Sequence, residues 1–133
     1  MASHQYQTCI DACYRCADAC DHCSTACLQE QDVKAMAECI RLDIDCAAIC
    51  RLAAAFMSRG SDFATQLCAL CADICEACGR ECGKHRHAHC QACARACEQC
   101  AQECRRMAGS AGGGASAASR GPQAGQAAGT AAP

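Results

Sequence analysis

Along most of this chain the apolar positions recur at alternating steps of three and four, and cysteine occupies nearly all of them. In the stretch CIDACYRCADACDHCSTAC the thiols are Cys9, Cys13, Cys16, Cys20, Cys23 and Cys27, with charged and polar residues between them. Alternating 3 and 4 averages about 3.5 residues, which draws a single stripe down one face of a helix. The same stripe returns as Cys68, Cys71, Cys75, Cys78 and Cys82, and again as Cys90, Cys93, Cys97, Cys100 and Cys104. A sparser stripe lies between them. Filling in its 3-4 register gives Met36, Cys39, Asp43, Cys46, Cys50, Ala53 and Met57. All nineteen cysteines fall on these four seams.

The breaks between the stripes predict four helices. The first spans about His4 to Leu28 with Ser3 as N-cap, and the second about Asp32 to Arg59 with Gly60 just beyond it. The third runs from Ser61-Asp62 to about Cys82. The fourth begins near His85 or Arg86 and ends at Arg105-Arg106. Connections this short force consecutive helices antiparallel. The predicted fold is therefore all-α, an antiparallel up-down-up-down four-helix bundle with a cysteine-lined core. Residues 1–108 form that domain. Residues 109–133 collapse to Gly, Ala and Ser with a little Pro and Gln, a composition that predicts a disordered tail.

Composition sharpens the picture. With no Trp, two Phe and two Tyr, the chain lacks the large side chains of an ordinary core. Cysteine at this density in a short chain normally signals an exported disulfide scaffold. Here the count is odd, and the N-terminal MASHQYQTCIDAC has no apolar export segment. The expectation is a reduced, cytoplasmic protein. A formal net charge of -2 and the lack of a long apolar run predict neither a nucleic-acid nor a membrane partner.

Cysteine packs as a small hydrophobe, so four facing thiol seams would make a loose core. They make an excellent ligand array, because residues at i, i+3 and i+4 are neighbours on a helix. Thiolates favour Cu(I), Zn(II) and iron-sulfur clusters. Charge favours Cu(I): one monovalent ion per bridging thiolate leaves the core neutral, whereas four unshared thiolates around Zn(II) leave -2 at each site. The C-x2-C-x2-C-x3-C-P run of bacterial clusters is absent. The leading reading is storage of many Cu(I) ions without catalysis. The alternatives are a zinc or general soft-metal buffer of metallothionein type and, further off, a thiol redox protein.

Repeated CxxxCxxC helices, with a cysteine-poor second helix, resemble the cytosolic branch of the bacterial copper storage protein family. The resemblance spans residues from about 4 to 108. It implies a four-helix bundle holding Cu(I) along its axis, often through CxxxC pairs within one helix. It also implies a homotetramer and access for copper at one end of the bundle, where a chaperone or a recipient cuproenzyme would exchange it.

Antiparallel threading gathers Tyr6, Cys9, Met57, Cys68, Cys104 and Met107 at one end. Cys27, Met36, Cys82 and the HRHAHC segment meet at the other. His87 precedes Cys90 by three residues and so continues the seam, flanked by His85 and His89. The metal-ligand set expected is the nineteen cysteines with His87, Met36 and Asp43. Met57 and Met107 are expected to fill gaps, and His4 and His22 to lie on the surface. A second apolar stripe, Phe63, Leu67, Leu70 and Ile74 on helix three with Leu42, Ile49 and Phe56 on helix two, predicts a subunit interface.

Overall fold

A computed structural model describes the backbone of residues 2–114 and the side chains of residues 6–109. Among the described residues the regular structure is helical throughout: α1 Ala2–Cys27, a short 3-10 turn Val33–Met36, α2 Ala37–Ser58, α3 Ala64–Gly83 and α4 Ala88–Gly114. Each helix packs against its two neighbours in a ring, α1 on α2 and α4, α3 on α2 and α4. This is the predicted antiparallel bundle.

The seams close on one another along the bundle axis. Every cysteine is at most 1 % exposed, and all seven members of the extrapolated α2 seam, Asp43 included, are fully buried. Beside the seams, Ala17, Ala47, Ala54 and Ala72 are also buried. Small side chains there let the helix backbones come close enough for the thiols to meet. At Gly79 a Cβ would stand 3.3 Å from the Cys97 Cβ, so α3 and α4 are in near contact. On the rim, Arg51 of α1's neighbour α2 pairs with Asp18 and Asp21, and Arg105 of α4 with Asp73 and Glu76 of α3. Exposed pairs of this kind contribute about 0.2–1 kcal/mol each, so burial and not charge holds the ring together.

The helix ends differ from expectation in ways that local chemistry explains. α1 already includes Ser3, which is therefore not its cap. It closes by tightening: the N–H groups of Gln29 and Glu30 donate to the carbonyls of Ala26 and Cys27, three residues back. Val33–Met36 is wound as a 3-10 turn, so α2 proper starts at Ala37 and not at Asp32. α3 starts at Ala64 and α4 at Ala88, each two or three residues later than the sequence predicts. α4 runs through the expected domain boundary at 108/109 to Gly114. The rest of the predicted tail, residues 115–133, lies outside the described residues.

Among the described residues Gly60 is the one position where backbone geometry demands glycine. Its φ is 65°, its N–H donates to the Met57 carbonyl, and the Ser61 N–H reaches back to the Phe56 carbonyl. That is a Schellman closure of α2, with glycine in the left-handed conformation that a Cβ disfavours by about 1–2 kcal/mol. Gly60→Ala is accordingly expected to lower the melting midpoint of the reduced, metal-free protein by roughly 4–9 °C. Thermal unfolding followed by circular dichroism measures this, and an unchanged midpoint would show that the α2–α3 turn relaxes freely.

Candidate metal centre

The nineteen cysteines are all free thiols. Their sulfurs form a continuous column because each helix contributes i,i+4 pairs and the neighbouring helices interleave them. Within helices the pairs Cys16–Cys20, Cys23–Cys27, Cys46–Cys50, Cys71–Cys75, Cys78–Cys82 and Cys93–Cys97 lie 3.8–4.0 Å apart. Between helices the contacts are as short or shorter. Cys46 meets Cys75 at 3.5 Å, Cys9 meets Cys104 at 3.6 Å, and Cys39 meets Cys82 at 3.1 Å.

These contacts resolve into groups of four donors within 4.8 Å of one another: Cys13/Cys71/Cys100/Cys104, Cys16/Cys46/Cys50/Cys75, Cys16/Cys20/Cys46/Cys97 and Cys20/Cys78/Cys93/Cys97. Successive groups share members. Cys16 and Cys46 belong to two of them, as do Cys20 and Cys97. A shared sulfur is a bridging ligand. The column therefore suits a chain of ions held by bridging thiolates and not a set of closed four-thiolate sites, each of which would need its own sulfurs.

Asp43 interrupts the column. Its Oδ1 accepts from the thiols of Cys78 at 3.2 Å, Cys93 at 3.2 Å and Cys82 at 3.4 Å, and its Oδ2 lies 3.8 Å from Cys39. Burial, reinforced by the negative charge that Cys93 and Cys78 acquire on ionising, pushes its carboxyl from 3.8 up to about 10. In the metal-free protein at neutral pH it is a protonated acid set among thiols, placed to exchange hydrogen bonds with them.

The histidine end corrects the register expected from the sequence. Because α4 begins at Ala88, His87 lies before the helix, and its carbonyl accepts the N–H groups of Cys90 and Gln91. Its ring faces Glu30 and Asp32, at 3.4 and 3.9 Å, and not the thiols. His89 takes the place expected of His87: its Nδ1 stands 3.7 Å from Cys23, 3.8 Å from Cys27 and 3.6 Å from Cys90. Cys23, Cys27, Cys90 and His89 form a second kind of donor group, three sulfurs and one nitrogen. His89 lies about 100° from Cys90 around the helix, so seam spacing does not find it. Side chains in a first helical turn lean toward the N-terminus, which sweeps this ring across the end of the column. His85 pairs with Glu81 instead.

Met36 is fully buried in the core cluster at the same end. At the far end the Cys68 thiol points at the Met57 sulfur, 3.6 Å away, so Met57 extends the sulfur column by a thioether. Desolvation pushes Cys27 up and Cys90 up to about 11. At the same end the hydrogen bonds of Cys23 and Cys82 hold Cys39 down to about 3, so neighbouring thiols differ in how readily they yield a proton to a cation.

The Asp43 shift has a definite sign for stability. Below about pH 4 the carboxyl is protonated in both the folded and the unfolded chain. Between about 4 and 10 only the unfolded chain ionises, so stability of the metal-free protein falls as pH rises through that window. Asp43→Asn has no such proton. Its midpoint is expected to match the parent near pH 4 and to exceed it by roughly 5 °C or more at pH 8. Thermal scans of both proteins under reducing, metal-free conditions check this; a gap that does not widen with pH would refute it.

Comparison with known proteins agrees with this geometry. The family described as "Csp: Copper storage protein" matches residues 2–109. The Cu(I)-bound copper storage protein BsCsp3, of Bacillus, is 57 % identical, with a TM-score of 0.75 over 77 % of this chain and 97 % of that one. A cytosolic copper storage protein from Streptomyces lividans, in a structure loaded with five coppers, is 40 % identical, with a TM-score of 0.77 over 80 % of this chain and 94 % of that one. The cysteine-rich protein YhjQ of Bacillus subtilis is 58 % identical over 75 residues, which is 56 % of this chain and 69 % of that protein. Relatives solved with copper bound thus share the bundle that carries the thiol column, and this chain belongs to the copper storage protein family.

Proposed function

We propose that this protein stores and sequesters Cu(I), taking ions one after another into the thiol column as bridged thiolate chains. The observation that carries the reading is the sharing of Cys16, Cys20, Cys46 and Cys97 between adjacent donor groups in the buried middle of the core. Two thiolates 3.7 Å apart repel by roughly 4 kcal/mol at an effective dielectric constant of about 20. The column can ionise only if a cation arrives for each proton that leaves. A monovalent, thiophilic ion meets that condition at one ion per bridging sulfur. Zinc meets it poorly, and the soft-metal buffer reading is correspondingly weaker.

All nineteen cysteines serve as ligands in this proposal, joined by His89 at one end. Met36, Met57 and Asp43 serve as accessory contacts, and His87 passes from ligand to support. The location is cytosolic, as described for the Streptomyces lividans protein. The protein is not an enzyme in this reading: the thiols and the imidazole that stand together serve as metal ligands. No helix among the described residues is long and apolar enough to cross a membrane. Of the apolar stripe expected at a subunit interface, Phe63 just before α3 and Leu70 are exposed and support a homo-oligomeric assembly, with a tetramer as the expected form, whereas Ile49 is buried and Leu42, Phe56, Leu67 and Ile74 pack partly against the core. A copper chaperone or a recipient cuproenzyme would exchange ions at the His89 end.

Anaerobic titration of the reduced protein with Cu(I) against a chromophoric competing chelator tests the reading. Uptake of about fifteen to twenty ions per chain is expected, close to one per thiol. Protons are released as ions enter, so affinity weakens as pH falls. Saturation at five ions or fewer, with Zn(II) held equally well, would make the protein a general soft-metal buffer.

A further inference from the structure

We infer that Glu30 is a positioning residue for copper uptake, fixing the tautomer and aim of His89 at the mouth of the column. The inference rests on the Cu(I) reading above and goes beyond it by assigning a role to a residue outside the thiol array.

A neutral imidazole has one N–H and one lone pair. His89 Nε2 stands 2.9 Å from Glu30 Oε2. A carboxylate only accepts, so the hydrogen belongs on Nε2, and the lone pair of the neutral ring is left on Nδ1. Nδ1 is the atom that faces Cys23, Cys27 and Cys90, at 3.6–3.8 Å. The hydrogen bond to Glu30 thus points the ligating atom inward, as carboxylate partners orient metal-bound histidines.

Glu30 is held for this task. It follows α1 in the tight turn in which the Glu30 N–H donates to the Cys27 carbonyl, so its backbone is tied to one of the thiol ligands it serves. The same Oε2 lies 3.4 Å from His87 Nδ1. The His87 ring stacks parallel on His89, centroids 5.3 Å apart and planes within 3°. Glu30 therefore orients His89 from the edge while His87 supports it from the face. The turn after α1 and the start of α4 are joined across the mouth by these contacts. His87, which the seam spacing marks as a ligand, becomes part of the frame that holds the ligand.

The test uses the full-length protein and its Glu30→Ala, Glu30→Gln, His89→Ala and Glu30→Ala/His89→Ala variants. Two readouts are taken. In the metal-free protein, long-range ¹H–¹⁵N correlation spectra report which nitrogen of His89 carries the hydrogen. A slowly exchanging Nε2–H is expected in the parent and in Glu30→Gln, whose amide oxygen still accepts, and its protection is expected to vanish in Glu30→Ala. In stopped-flow transfer of Cu(I) from a chelator, Glu30→Ala is expected to slow the initial phase roughly ten-fold. His89→Ala should do the same, the double variant should be no slower, and Glu30→Gln should recover most of the rate. Total capacity should stay at the parental value in Glu30→Ala and Glu30→Gln, whose substitutions lie outside the ligand set. Parental kinetics in Glu30→Ala, an effect that adds in full to that of His89→Ala, or a retained Nε2–H signal in Glu30→Ala would each overturn the assignment. A parent that fails to bind about one copper per thiol would instead refute the storage reading, and the tautomer measurement, made without metal, would still decide the role of Glu30.

Discussion

Nineteen thiols in one core cannot all be anions unless something neutralises them, and that constraint governs the rest of the molecule. Protonated, they are small apolar side chains that fill a helical bundle adequately. Deprotonated, they are soft ligands whose mutual repulsion in a buried column is large on the scale of a domain's stability. Folding and loading therefore use two protonation states of the same atoms. The bundle folds around neutral thiols, and each cation then exchanges for a proton with little change in the net charge buried. A fold whose core became charged in steps of -2 would lose stability as it filled.

Such a core is poor in apolar area, and the structure compensates by proximity. Alanines flank the seams, and Gly79 brings α3 against α4, with the Cys97 Cβ only 3.3 Å from where a side chain would begin. Close approach serves both states. It raises the packing density that a thiol core otherwise lacks, and it brings sulfurs of facing helices within 3.5–3.7 Å, where one ion can touch several of them. The larger apolar residues Ile44, Leu52 and Leu70, with Phe63 at the N-cap of α3, are left outside. The thiols and these exposed apolar side chains are in this way kept on different faces of α2 and α3.

The sequence made the column legible because seam spacing is a property of a helix interior. Even Asp43, the least cysteine-like member, sits where the 3-4 register of α2 puts it. The helix ends were harder to read for a physical reason. Where a helix starts depends on turn hydrogen bonds that no periodicity encodes, and a delay from Arg86 to Ala88 was enough to move the facing imidazole from His87 to His89. Nor does spacing reveal that Glu30, beyond the end of α1, comes back over the mouth. The 3-10 winding of Val33–Met36 was equally invisible, since nothing in VKAM distinguishes it from a first α-helical turn.

A column of identical thiols has no preferred end, so direction in this molecule must come from the residues that are not cysteine. At one end His89 offers a neutral nitrogen ligand, and an ion bound there by imidazole and two thiolates displaces fewer protons than one held by thiolates alone. At the other end the Met57 thioether, also neutral, closes the column beside Cys68 without adding charge. Between them Asp43 keeps a proton that the surrounding thiols would otherwise have to share with it. Three side chains out of register with the chemistry of the rest thus give an otherwise uniform metal channel two distinguishable ends and a marked interior point.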